Sequence, residues 1–393
     1  MNDWFADQLQ ALRARSLDRH LREVAGAQGP TVEFAGNRLI NFSSNDYLGL
    51  ANDARLRDAA TAAIAKFGVG AGASRLISGT QSPHLELERA LANWKETPAA
   101  LSFSSGYAAA LGTIPAVVSK GDVVLLDKLC HASLIDGAKL SGALLRVFPH
   151  NHLGKLESHL NWAQRECPGK RVLILTESVF SMDGDRAPLR ELVELKNRFG
   201  ALLLLDEAHA VGVIGPNGRG LAAAENISAD IDVHMGTLSK ALGVSGGYIC
   251  GSRSLIAWLI NRARSFIYST APPPAMVAAA RAAVEFLASA EGEERRLLLR
   301  QRIKLMDGLL RQLDVGRRTL PDDGSSAIFP WTVGDEQRAV DLAAGLREEG
   351  FFVPAIRYPT VAKGAARLRI TVTAAHSEEQ IRSLCEALAR LSQ

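Results

Sequence analysis

Ala201-Leu202-Leu203-Leu204-Leu205-Asp206-Glu207-Ala208-His209 places an unbroken apolar run directly before an acid. The run falls far short of the ~18 apolar residues that a membrane-spanning helix needs. It also lacks the polar alternation of a half-exposed strand. It reads as a strand, Leu202–Asp206, buried on both faces as in parallel sheets. Working outward, runs of the same kind recur at Ala99–Phe103, Val123–Asp127, Leu144–Phe148, Val172–Thr176, Val233–Met235 and Gly247–Cys250. Helical patterns over 105–118, 132–139, 153–165 and 188–199 separate them. Apolar strands alternating with helices imply an α/β fold, with a mostly parallel sheet covered on both faces.

The flanks differ from this centre. Trp4, Leu9, Leu12, Leu17, Leu21 and Val24 fall at helical spacing over 4–25, followed by short strands at Thr31–Phe34 and Arg38–Phe42. Beyond Ile249 the expected elements are helices at 254–266, 274–313, 336–349 and 377–391, with strands near 326–333, 352–356 and 367–372. The expected organisation is an N-terminal segment 1–48, a large α/β domain 49–285 and a small α+β domain 286–393, hinged near 280–292. A chain of 393 residues is long enough for such a division.

Composition narrows the function classes. The chain is 47% apolar and 22% charged, and 45 Lys+Arg against 42 Asp+Glu leave a net charge of +3. No basic field exists to attract nucleic acid, so none is expected as a partner. Cys130, Cys167, Cys250 and Cys385 form no C-x-x-C pair, so neither a disulfide framework nor a zinc site is expected, and no other metal site is read. The first residues mix Asp, Arg and Gln with apolar positions, unlike a secretory signal. The expectation is a reduced, soluble, cytoplasmic protein without a membrane partner.

Three short patterns mislead. Asp206-Glu207-Ala208-His209 spells a helicase box, but no G-x-x-x-x-G-K-[ST] phosphate loop accompanies it. Gly243-Val244-Ser245-Gly246-Gly247 matches a hydrolase nucleophile elbow, yet a strand rather than a helix follows. Gly68-Val69-Gly70-Ala71-Gly72-Ala73 imitates a dinucleotide loop after a helical pattern instead of a strand.

A different set of residues shares one register. Ligands of parallel α/β sheets gather at the carboxyl ends of the strands. Asp206 ends such a strand and His209 follows it. Lys240 lies in the polar loop Gly236-Thr237-Leu238-Ser239-Lys240, after another. Ser104-Ser105-Gly106-Tyr107 opens a helix whose free N–H groups suit a phosphate, and His131 lies just past Asp127. Each residue alone has an ordinary reading as a cap, a core histidine or a solvated lysine. Together they suggest pyridoxal phosphate. The lysine amine would join its aldehyde, the aspartate would face its pyridine nitrogen, and an imidazole would stack on its ring.

Five motifs then occur in order: Asn41-Phe42-Ser43-Ser44-Asn45-Asp46-Tyr47-Leu48-Gly49-Leu50, His131-Ala132-Ser133, Phe180-Ser181-Met182-Asp183-Gly184-Asp185, Asp206-Glu207-Ala208-His209 and Gly236-Thr237-Leu238-Ser239-Lys240. In these the chain resembles the α-oxoamine synthases, pyridoxal-phosphate enzymes of the aspartate-aminotransferase fold (fold type I). The likeness spans nearly the whole sequence. It implies that Lys240 bears the cofactor, Asp206 pairs with its pyridine nitrogen and His131 stacks on it. It further implies that Ser181 and His209 face the phenolic oxygen, and that Gly106, Tyr107 and Thr237 seat the phosphate. Asn45 and Arg369 would hold the amino-acid carboxylate. Arg22, Thr360 and His131 would contact substrate. The family forms homodimers, so Ser269 and Thr270 would serve the partner subunit's phosphate. Ile267-Tyr268-Ser269-Thr270 and Ile356-Arg357-Tyr358-Pro359-Thr360-Val361 favour the members that condense L-alanine with pimeloyl-CoA, or its carrier-protein thioester, in biotin synthesis. Glycine with acetyl-CoA, or cofactor binding without catalysis, stand as alternatives.

Overall fold

The computed structural model describes residues 3–15, 17–34, 36–313 and 326–392. They fall into two units. One contains the chain up to Asn45, Met182–Gly184 and Leu298 onward; the other contains Asp46–Ser181 and Asp185–Leu297.

The larger unit is built on a seven-stranded sheet. Its strand order is Ala99–Phe103, Gly247–Gly251, Val233–Thr237, Leu202–Asp206, Val172–Glu177, Val123–Asp127, Leu144–Phe148. All strands run parallel except Gly247–Gly251, which is antiparallel to both neighbours. The reason lies in the connections. Helices Gly106–Val117, Ala132–Ser141, Leu153–Glu166 and Leu189–Phe199 supply crossovers. Only a short helix-free loop, residues 238–246, joins Val233–Thr237 to Gly247–Gly251, and it reverses the chain. The loop contains the false nucleophile elbow: Gly243 has φ 69° there and Ser245 is exposed. The apolar runs fill the centre; Leu203, Leu204, Leu205, Leu173 and Val124 are fully buried.

The smaller unit holds two three-stranded sheets. Thr31–Phe34, Asn37–Asn41 and Phe351–Phe352 form one; Ile328–Gly334, Ala366–Thr371 and Ala355–Ile356 form the other. Because Phe351–Phe352 pairs parallel with Asn37–Asn41, the N-terminal strands belong with the C-terminal elements instead of forming a separate segment. The second boundary falls at Leu297/Leu298, beyond the expected 280–292.

Four expected elements change. The helix over 4–25 is only Trp4–Arg13, none of whose residues is buried. Helical spacing without a surface to pack on does not carry the helix further. The N–H of Leu17 turns back to Leu12 O at 2.9 Å, and Ala25 bridges to Glu33. The helix over 254–266 divides at Ala263, whose ψ is 100°. The helix over 274–313 divides into Pro274–Leu287 and Ala290–Leu313, where Ser289 Oγ accepts the Gly292 N–H at 3.2 Å. The strand at 352–356 splits around Pro354, which has no N–H to donate.

His376 tests the packing of this unit. Its ring stacks on Phe42 at 4.2 Å, its Nδ1 accepts the Thr373 N–H at 3.0 Å and its Nε2–H donates to Asn41 O at 3.1 Å. Burial outweighs these contacts and lowers its pKa from 6.5 to about 4. The neutral ring therefore contributes stability that is complete above pH 6.5 and lost as pH falls through the window from 6.5 toward 4. Denaturant midpoints at neutral pH and near pH 5 are expected to differ more for wild type than for His376→Gln. Equal differences would show that His376 does not titrate this way.

Candidate active site

Where the parallel strands end, the larger unit opens a cavity of about 250 Å³. Ser105, Gly106, Tyr107, His131, Ser133, Glu177, Asp206, Ala208, His209, Met235, Thr237, Ser239 and Lys240 line it. Of the residues expected around the cofactor, Lys240, Asp206, His131, His209, Thr237, Gly106 and Tyr107 are all among them. Ser181 is not; it lies on the loop after the Val172–Glu177 strand.

The sheet explains this convergence. Asp206 is held at the end of its strand, 4% exposed, with Oδ1 accepting the Ala208 N–H at 2.9 Å. Burial raises its carboxyl pKa, against the pull of Lys240, the Ala208 N–H and His131. The next residue, Glu207, anchors the turn. Lys95 Nζ donates to Glu207 Oε2 at 2.6 Å and Glu207 Oε1 accepts the Ala222 N–H at 3.1 Å. Despite the upward push of burial, Lys95 and His234 hold Glu207 at about 2. His209 Nδ1 pairs with the buried Tyr47 hydroxyl at 2.7 Å, which fixes the ring and leaves Nε2 as its other polar atom.

The phosphate end of the expected site is a helix start. Ser105 Oγ caps Gly106–Val117 by accepting the Ala108 N–H at 3.0 Å. A Cβ on Gly247 would lie 2.5 Å from both Gly106 N and Ser105 O, so the glycine lets its strand pack directly against the start of this helix and a side chain there would displace it. Thr237 Oγ1 donates to Gly246 O at 3.0 Å and accepts the Ser239 N–H at 3.2 Å, fixing the loop that leads to Lys240.

Two residues escaped the sequence reading. Glu177 ends its strand directly beside Asp206 in the ladder, is 2% exposed, and accepts the N–H of His131. Burial and the adjacent Asp206 raise its pKa well above 4.5. Its signal was available: like Asp206, it follows an apolar run. Tyr47 stands in the motif at 41–50, where no local pattern gives it a partner such as His209. His131 itself caps Ala132–Ser141, its Nδ1 accepting the Ser133 N–H at 3.2 Å.

The other expected residues lie in the smaller unit. Arg369 is buried and its Nη2 donates to Asn45 Oδ1 at 3.1 Å. Its strand neighbour Arg367 pairs with Asp183. Arg22 lines a separate cleft of about 970 Å³ with Arg38 and Arg347, and Thr360 is exposed. Ser269 and Thr270 belong to the larger unit, where Thr270 bridges to Ser74. Among the described residues no cluster suited to a metal ion occurs, and no helix is long and apolar enough to cross a membrane.

This architecture and this cavity define a class. The chain belongs to the aminotransferase class I and II family, whose model matches residues 37–388. Among its relatives, it is 48% identical over 388 residues to the 8-amino-7-oxononanoate synthase of Anaeromyxobacter dehalogenans, covering 98% of this chain and 95% of that one. Its fold is similar to serine palmitoyltransferase from S. paucimobilis, a structure with bound PLP, at TM-score 0.92 and 31% identity over 99% and 97% of the two chains. It is likewise similar to 8-amino-7-oxononanoate synthase from Francisella tularensis, at TM-score 0.76 and 31% identity over 90% and 97%.

Proposed function

We propose that the chain is a pyridoxal-phosphate-dependent acyltransferase. It condenses L-alanine with pimeloyl-CoA, or the carrier-protein thioester, to 8-amino-7-oxononanoate, CoA and carbon dioxide in biotin synthesis. The observation that carries the chemistry is the convergence of Lys240, Asp206 and His131 on one cavity beside a helix N-terminus. The substrates follow from relatives of that name at nearly half identity over almost the whole chain.

The residues fit the cofactor: a helix start, residues 105–107, that lines the cavity for the phosphate, a buried carboxylate for the pyridine nitrogen and a lysine for the aldehyde. When bound, pyridoxal phosphate supplies an electron-withdrawing ring that stabilises negative charge at the substrate Cα. Asp206 holds a proton at the pyridine nitrogen, because its ionised carboxylate in a poorly solvated site favours the charged partner. Lys240, which would hold the aldehyde, would also be the base that takes the proton from the alanine Cα at its Nζ. His131, which lines the cavity, would cover one face of the ring and keep water from it. His209 and Ser181 hydrogen-bond the phenolic oxygen. Gly106, Tyr107 and Thr237 bind the phosphate, and Arg22 and Thr360 contact the acyl chain. The working form is a cytoplasmic homodimer, with Ser269 and Thr270 reaching the partner subunit's phosphate. Thiol release from pimeloyl-, acetyl- and palmitoyl-CoA with alanine, glycine and serine tests the substrates. The highest kcat/KM is expected for alanine with pimeloyl-CoA, and a higher value for another pair overturns that assignment.

Asn45 and Arg369 bind the alanine carboxylate. A guanidinium clasps a carboxylate through two parallel hydrogen bonds, which an ammonium cannot copy. Charge-assisted bonds contribute about 1.5–3 kcal/mol, so Arg369→Lys is expected to raise the alanine requirement roughly 10- to 100-fold. The cofactor absorbance of the resting enzyme stays unchanged. Wild-type dependence on alanine would remove Arg369 from the substrate site.

A further inference from the structure

A second polar cluster lies beside the cavity without lining it. Asp127 ends the Val123–Asp127 strand that leads to His131, and it is fully buried. Its Oδ1 meets His150 Nδ1 at 3.0 Å and also accepts the Leu129 N–H at 2.8 Å, while its Oδ2 accepts the Asn151 N–H at 2.8 Å. The opposite ring nitrogen, His150 Nε2, meets Asp185 Oδ2 at 2.6 Å. The Asn151 side-chain amide donates to Asp185 Oδ2 at 3.2 Å and to Arg186 O at 2.9 Å. Phe180 packs edge-on against the imidazole at 4.3 Å.

These contacts join two places in the chain. Asp185 closes the loop that carries Ser181. The two ends of that loop are tied by the Phe180 N–H to Asp185 O at 2.9 Å and the Ala187 N–H to Ser178 O at 3.2 Å. An imidazole between two carboxylates satisfies both only when both nitrogens carry protons; a neutral ring turns a lone pair toward one of them. Burial pushes the His150 ring down, but the hydrogen bonds to Asp127 and Asp185 outweigh it and hold its pKa at about 10. Asp127 and Asp185 are the charged groups that raise it; the Asn151 amide nitrogen also lies 3.2 Å from His150 Nε2, and Phe180 meets the ring edge-on.

We propose that His150 is a positioning residue: by tying Asp127 to Asp185 it latches the Ser178–Ala187 loop and so presents Ser181 to the bound cofactor. The last step rests on the reading of Ser181 as a cofactor ligand.

Amide hydrogen exchange on the full chain and spectral titration of the apoenzyme with pyridoxal phosphate test the latch. In His150→Gln the Phe180 and Ala187 amides are expected to exchange about tenfold faster or more, while the Leu203–Leu205 amides keep their rates, as in local opening. Cofactor affinity is expected to fall several-fold, as in Ser181→Ala, on the scale of one hydrogen bond lost. Adding Asp185→Asn to His150→Gln should cost no more than either change alone, since both break one connection. Wild-type exchange at Phe180 and Ala187, or uniform acceleration across the sheet, overturns the latch. Faster loop exchange with unchanged cofactor affinity, when Ser181→Ala does weaken binding, overturns its link to Ser181. If Ser181→Ala also leaves affinity unchanged, the reading of Ser181 fails and the latch stands on its exchange data.

Discussion

Lys240→Ala is expected to end turnover and to leave the cofactor free of the chain. After borohydride reduction and denaturation, wild type should retain the cofactor mass on the peptide containing Lys240, and the variant should retain none. The expectation follows from position. Lys240 sits past the end of the Val233–Thr237 strand on a loop fixed by the Thr237 hydroxyl, and it is the only lysine among the residues lining the cavity. No other amine there could take over the attachment. Proton transfer by a positioned side chain contributes about 10²–10⁴-fold by itself, so losing the base as well as the attachment point leaves a far larger deficit than any neighbouring change. The residue replaced is only partly buried, so the change removes no side chain of the apolar core. Covalent retention of cofactor by the variant would move the attachment to another lysine and remove Lys240 from the chemistry.

The strands that build this site were legible because both-face burial leaves its mark on every residue of a run. Leu202–Asp206 and Val123–Asp127 stand as read, and Asp206, His131 and Lys240 followed from where such runs end. Elements that depend on a partner surface were not legible. Trp4, Leu9 and Leu12 keep helical spacing, yet their helix buries no residue and stops at Arg13. The break at Ser289 hides because helix-favouring sequence lies on both sides, Ala-rich before it and rich in Glu, Arg and Leu after it, and only the capping hydroxyl marks the restart. Polar clusters are harder still. His150 lies 23 residues from Asp127 and 35 from Asp185, so no local pattern joins them. Asn45 and Arg369, 324 residues apart, were paired through family resemblance, and the structure brings them to 3.1 Å. Glu177 is hidden for a different reason: the polar Thr176 interrupts the apolar run one residue before it, although the ladder continues to Glu177, opposite Asp206.

Asp206→Asn separates catalysis from stability, because the two are expected to move differently. The amide keeps an oxygen that can accept the Ala208 N–H, now 2.9 Å from Oδ1, so the turn toward His209 retains its local bond. What disappears is the negative charge. Without it a proton on the pyridine nitrogen loses its partner, and the ring holds negative charge at the substrate Cα less well. Electrostatic deletions of this kind in water-poor sites cost about 3–4 kcal/mol in the barrier, so turnover should fall on the order of 10²–10³-fold. Stability of the cofactor-free chain follows the opposite logic. Burial raises the Asp206 carboxyl above its usual range, so above that range its ionised form disfavours the fold. Removing the charge is therefore expected to leave the unfolding temperature of the apoprotein at neutral pH no lower than that of wild type. Near-normal turnover would strip Asp206 of its role at the pyridine nitrogen. A lowered unfolding temperature alongside the lost activity would make it a structural residue whose charge the fold requires.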